Sequence, residues 1–145
     1  MTVEIFSKHK RIGIDSNVLI YLLEGSGHLA DAAGELIDGI AEGLADGVLA
    51  TLAVAEICSG PAEAGLTDLV ERYADELRSL DNVRLVPLSA EVAADAAAMR
   101  GRSGLSLADA IHLASATSSG ATAFVTNDRR IRSTPQLEVV LLSKA

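Results

Sequence analysis

Residues 105–130, LSLADAIHLASATSSGATAFVTNDRR, read as a helix, a glycine turn, a short inner strand and an acidic loop. Ser106 is a strong N-cap residue, and Asp109 stands three positions later, where the acid of a capping box stands. Leu107, Ala110, Ile111 and Ala114 make the helix apolar on most sides, which predicts burial. Gly120 ends it. Ala123, Phe124 and Val125 are too short a run for a helix and fit an inner strand, broken by Thr126, Asn127 and Asp128. The only acid between Leu105 and Asn127 is Asp109. A buried charge is costly without a partner, so Asp109 is either a cap or a chemical tool.

Outward from that stretch the alternation repeats. Residues 12–14 predict a strand that stops at Asp15, and Asp15 or Ser16 caps a helix through Val18, Leu19, Ile20, Leu22 and Leu23 that Gly25 closes. Residues 28–46 carry Leu29, Ala32, Ala33, Leu36, Ile37, Ile40 and Leu44 at helical period. Residues 48–50 predict a second strand; Thr51 then caps a helix reading LAVAEIC that stops at Gly60 and Pro61. Leu66, Leu69, Val70, Tyr73, Leu77 and Leu80 stripe another helix, and residues 83–88 predict a third strand. Ser89 caps an alanine-rich helix to about Arg102, and residues 139–142 predict a final edge strand. Residues 1–10 read as a polar, solvated lead-in. Continuously apolar strands alternating with helices imply an α/β fold, a three-layer α/β/α sandwich around a mostly parallel five-stranded sheet. Ligands of such sheets bind beyond the carboxyl ends of the strands.

The length of 145 residues predicts one domain over 1–145. A chain of that size buries roughly 68–70% of its unfolded surface and needs no staples. With 49% hydrophobic residues but two Phe, two Tyr and no Trp, the core is built of Ala, Leu, Val and Ile. So few aromatics argue against a surface that grips single strands by base stacking. A net charge of -8 means that any nucleic-acid contact needs a local basic patch. Cys58 is the only cysteine, which excludes an intrachain disulfide and favours a cytoplasmic protein. No signal peptide and no membrane-spanning run is expected.

Four acids stand alone in apolar elements. Asp15 ends the first strand, Asp128 follows the fourth, and Glu56 lies about one turn into the helix leaving the second. Asp109 reaches the same carboxyl rim only if its helix runs antiparallel to the sheet. Singly, Asp15 and Asp128 also fit turn or cap positions, whereas Glu56 sits past the cap among Val54, Ala55, Ile57 and Cys58. Two carboxylates about 4 Å apart repel by roughly 4 kcal/mol at an effective dielectric of 20. Several such pairs rival a total stability of about 5–15 kcal/mol, so a shared rim asks for a cation. Oxygen-only ligands suit Mg²⁺ or Mn²⁺, and such a site suits phosphodiester hydrolysis. Ser16, Asn17, Thr126 and Asn127 are candidates for orienting ligands or water, or ordinary turn residues. Arg100, Arg102, Arg129, Arg130 and Arg132 flank the acids in sequence and are candidates for holding phosphates; a solvated loop is the alternative. His112 reads as a satisfied core histidine, and Cys58 as packing.

The segments Ile14-Asp15-Ser16-Asn17-Val18-Leu19-Ile20, Glu56 in a short helix, Leu107-Ala108-Asp109-Ala110-Ile111-His112-Leu113-Ala114 and Val125-Thr126-Asn127-Asp128 resemble, in that order and spacing, the PIN-domain nucleases. Within them the chain is most similar to the VapC toxins of toxin–antitoxin pairs. The resemblance runs from about Arg11 to Leu142. It implies a parallel five-stranded sheet with Asp15, Glu56, Asp109 and Asp128 as an acidic quartet at one rim. It further implies Mg²⁺- or Mn²⁺-dependent cleavage of RNA, a homodimer, and a small VapB-like antitoxin that blocks the site. The chain departs from the family's pattern after Asp128, where a further acid is often found and Arg129, Arg130 and Ile131 stand here. Two other classes compete: a non-catalytic α/β binding module on the same scaffold, and a haloacid-dehalogenase-like phosphatase. The phosphatase needs a second Asp two residues after its nucleophile, and position 17 is Asn.

Overall fold

The computed structural model describes residues 2–144. Its elements run α1 (Thr2–Lys8), β1 (Arg11–Ile14), α2 (Ser16–Glu24), α3 (His28–Ala41), β2 (Asp46–Ala50), α4 (Thr51–Glu63), α5 (Thr67–Arg78), β3 (Val83–Val86), α6 (Ala90–Ser103), α7 (Leu107–Ser118), β4 (Ala123–Thr126) and β5 (Glu138–Leu141), with a final 3-10 turn (Leu142–Lys144). Among the described residues the sheet has five strands in the order β3-β2-β1-β4-β5, and every pairing is parallel. The expected sandwich is therefore present, with a sheet that is parallel throughout. The chain leaves β1 toward β2 on one side and returns to β4 on the other. The switch in strand order thus falls between β1 and β4, where open α/β sheets leave a crevice at their carboxyl ends.

Alternate strand residues supply two cores. Ile12, Ile14, Leu49, Ala123 and Val125 pack under α1 to α5 with Val18, Leu19, Leu36, Ile40 and Ile57. On the opposite face Val48, Val86 and Phe124 meet Leu113 and Ala116 of α7. Val92 and Ala96 of α6 lock onto Ala110 and Ala114 of α7. Small residues let α7 lie close to the sheet. A Cβ on Gly13 would stand 2.7 Å from the Ala116 Cβ and 2.9 Å from the Phe124 ring, so only glycine admits the helix at that distance. No helix is long and apolar enough to cross a membrane among the described residues.

Several local expectations are corrected. The start of the chain is not a solvated lead-in: α1 buries Ile5 and Phe6. The Phe6 ring lies where a Cβ on Gly39 would stand, 2.3 Å away, so that glycine of α3 is the seat of α1. Thr51 is the first residue of α4 rather than its cap, because Ala50 occupies the cap position. The same helix continues through Gly60 and Pro61 to Glu63. Pro61 costs one backbone bond, yet it is buried and the helix ends within three residues. Helix α3 stops at Ala41, before Gly43 at φ 89°, and β3 ends at Val86, two residues before Leu88. Leu142 lies in the final turn rather than in β5, which starts at Glu138.

Candidate active site

Asp15 leaves β1 at its carboxyl end and caps α2. Its backbone N–H donates to the Val125 carbonyl at 2.9 Å, which ties the start of the loop to β4. Its side chain is buried, with Oδ1 accepting from the Ser16 N–H at 2.8 Å and Oδ2 from the Thr126 hydroxyl at 2.7 Å. Asp15 is therefore a cap, but one whose second oxygen is held by the neighbouring strand end. Thr126 also accepts from the Asp128 N–H at 3.0 Å and from Asn17 Nδ2 at 3.2 Å. Asn17 Oδ1 accepts from the Asn127 N–H at 3.1 Å. The Asn127 amide holds Tyr21 Oη and the Ser143 N–H. Asn17, Thr126 and Asn127 thus knit the β1 and β4 loops together across the switch point.

Glu56 stands about one turn into α4, half-exposed, with Oε1 accepting from His112 Nε2 at 2.5 Å. The same nitrogen lies 3.9 Å from Asp15 Oδ1. His112 is buried, and its Nδ1 has no hydrogen-bond partner among the described residues. It is not the satisfied core histidine that its apolar helix suggested. It faces two carboxylates, three residues from Asp109 on the same helix face. That spacing from a lone acid was the available signal in the sequence.

Asp109 is in the first turn of α7. The Ser106 hydroxyl accepts from its backbone N–H at 3.1 Å, but among the described residues the Asp109 carboxylate does not return the bond that would close a capping box. Its charge acts on Asp15, His112 and Arg130. Helix α7 accordingly brings its N-terminus to the carboxyl rim, the orientation on which the role of Asp109 depended. Asp128 follows β4, and Arg130 grips it in a fork, with Nε on Oδ1 at 3.0 Å, Nη2 on Oδ2 at 2.8 Å and the backbone N–H on Oδ1 at 2.9 Å.

The electrostatics follow from these contacts. Burial pushes the Asp15 carboxyl up; His112, Thr126 and Ser16 oppose that, and Asp109 adds to it. The hydrogen bond from His112 holds Glu56 below its ordinary value, against its partial burial. Burial alone would lower His112, but the hydrogen bond to Glu56 and the charges of Asp15, Glu56 and Asp109 outweigh it and leave the imidazole above its ordinary value. Arg130 lowers Asp128. The repulsion expected of a shared acidic rim is thus met, in the described residues, by two protein cations.

This arrangement predicts a pH dependence in chelator. The raised His112 contributes stability that is complete below the ordinary imidazole value of 6.5 and lost as pH rises through its folded value. The lowered Glu56 contributes stability that is present above its ordinary value of 4.5 and lost as pH falls through its folded value. The raised Asp15 contributes stability that is complete below its ordinary value of 3.8 and lost as pH rises through its folded value. Urea unfolding should therefore give greatest stability between the ordinary values of Glu56, 4.5, and His112, 6.5, and a decline toward alkaline pH. A curve still rising at that alkaline end would mean that His112 is not a counter-ion.

As a donor set, Asp15, Glu56, Asp109 and Asp128 fit a hard divalent cation, since all offer oxygen. No three His, Cys, Asp or Glu side chains among the described residues close on one point as a metal-holding group. The reason is visible: Glu56 is turned onto His112 and Asp128 onto Arg130. The two cations stand where positive charge is wanted, and the exposed Arg130 fork is the easier to open. Of the other arginines, Arg102 joins Arg130 at one cleft, Arg100 lies at a separate one, and Arg129 is exposed.

Three solved structures of similar fold are toxin–antitoxin assemblies. A toxin–antitoxin complex from Klebsiella pneumoniae matches at TM-score 0.65 and 20% identity, over 88% of this chain and 94% of that one. VapBC2 from Rickettsia felis, bound to a DNA fragment of its promoter, matches at TM-score 0.70 and 15% identity, over 90% and 98%. DNA-bound VapBC from Salmonella typhimurium matches at TM-score 0.62 and 16% identity, over 92% and 98%. At such identities the likeness is one of fold. No curated protein matches the sequence. The family model described as PIN domain matches residues 12–137, a span that takes in all four acids and their loops, and the chain belongs to the PIN-domain family.

Proposed function

We propose that this protein is a metal-dependent endoribonuclease and the toxin of a type II toxin–antitoxin pair. The observation that carries this is the placement of Asp15, Glu56, Asp109 and Asp128 around the β1/β4 switch point of a PIN-family chain. These four residues would hold Mg²⁺ or Mn²⁺. A cation there supplies a nucleophilic water at neutral pH and screens charge on the phosphoryl oxygens. Thr126 and Ser16 fix the Asp15 carboxylate. His112 orients Glu56 from below. Arg130, drawn off Asp128 by a phosphate, neutralises the substrate's charge as a bidentate donor. The toxin–antitoxin neighbours support an antitoxin partner, and the acidic rim calls for a basic side chain from it. A homodimer and a cytoplasmic location complete the proposal.

Cleavage of RNA against a small phosphoester, each with and without Mn²⁺, tests it. RNA should be cut only with metal, and the phosphoester not at all. Cleavage of the phosphoester alone would favour a phosphatase, and inertness toward both a binding module.

A further inference from the structure

Beside the acidic rim lies a cleft of about 190 Å³ between the end of α6 and the loop after β4. Met99, Leu105 and Leu113 form its apolar floor, and Arg102, Arg130 and Arg132 stand around it. The first three belong to the core behind β4, so the floor is fixed rather than floppy. The side chains of Arg102 and Arg132 are exposed and make no hydrogen bond or ion pair among the described residues. Three arginines around one small cleft, two of them unpartnered, are out of keeping with a chain of net charge -8. They ask for an anion. Arg130 joins this cleft to the acids, because its guanidinium is the group that grips Asp128.

Size narrows the occupant. Sites for whole small molecules run to about 300–1,000 Å³, so this cleft takes a fragment with an apolar face and a negative charge beside it. One nucleotide of a single strand has both.

We propose that the cleft is the subsite for the nucleotide next to the scissile phosphate, its base on Met99, Leu105 and Leu113 and its phosphate on Arg102 and Arg132. The proposal rests on the nuclease reading above and adds to it a place where sequence preference is exerted. Of the five arginines that flank the acids in sequence, Arg102, Arg130 and Arg132 stand at this cleft, and Arg100 and Arg129 do not.

The test separates binding from chemistry. In chelator, a single-stranded ribo-oligonucleotide is titrated by fluorescence anisotropy over a range of salt. The wild type is compared with Arg102→Ala/Arg132→Ala and with Arg84→Ala, a control at the opposite sheet edge. The double variant should bind at least about tenfold more weakly, with a salt slope smaller by about 0.7, the share of one phosphate on a single strand. It should keep wild-type melting and Mn²⁺ binding and lose RNA cleavage in step with binding. An abasic strand of the same length should bind the wild type more weakly than the base-bearing one. Unchanged affinity and slope in the double variant, while the wild type cleaves RNA, would overturn the subsite and leave the nuclease standing. Equal binding of the abasic strand would overturn it as well. A wild type that neither binds nor cleaves RNA with Mn²⁺ would overturn both. Intact RNA binding with lost neutralisation by a co-expressed protein partner would give the cleft to that partner instead.

Discussion

Asp109→Asn is expected to lower metal-dependent RNA cleavage by at least about 100-fold while changing stability in chelator by less than about 0.5 kcal/mol. The magnitude comes from comparison. Losing a group that merely orients a metal ligand typically costs 10–100-fold, so losing a ligand's charge costs no less than the upper end. The small effect on stability comes from the helix end. Ser106 caps α7 through the Asp109 backbone N–H, which the substitution leaves in place. The side chain closes no capping box, and its charge is both a burden on Asp15 and a benefit to His112 and Arg130. Asp15→Asn should abolish cleavage in the same way. Urea unfolding in chelator and cleavage with Mn²⁺ are measured side by side. Intact cleavage with reduced stability would make Asp109 a structural residue and remove the centre of the proposed mechanism.

His112→Ala should have the largest effect on stability, a loss of about 3 kcal/mol in chelator. Breaking a buried pair costs about 3–5 kcal/mol because the remaining charge is left without compensation. The lower end applies here because Glu56 is partly exposed, at 36% of its side chain, whereas Asp15 is 7% exposed. The second half of the prediction is a coupling. Asparagine at position 15 needs no counter-ion, so His112→Ala should cost less in an Asp15→Asn background. A double-mutant cycle by urea unfolding measures this. Effects that add within about 0.3–0.5 kcal/mol would mean that the two residues do not interact. His112 would then be a core residue that does not act as a counter-ion to Asp15.

The rim carries two kinds of positive charge. His112 is built into the core, and its contact with Glu56 is part of the fold. Arg130 lies on the surface and grips Asp128 through a solvent-exposed fork.

The order and type of the elements were legible in the sequence because each carried its signal locally. The apolar runs around Ile12, Val48, Val83, Ala123 and Val139 and the capping residues Asp15, Ser89 and Ser106 appear in the structure at those places. So was the isolation of four acids in apolar elements, since solitary charge in a run of Ala, Leu and Ile is visible without coordinates. Where local signals competed with packing, packing won. The first helix forms because Phe6 finds the space above Gly39, a contact 33 residues apart in sequence that no local pattern encodes. Pro61 marks a helix stop by propensity, and burial holds it inside α4. The orientation of α7, on which Asp109 turns, was open in the sequence because two helices separate β3 from β4. The packing of α6 on α7 and of α7 on Gly13 decided it. Tertiary structure alone supplied the partners of the acids. Glu56 and His112 are 56 residues apart, and a charge shows its cost in the sequence but not which distant side chain offsets it.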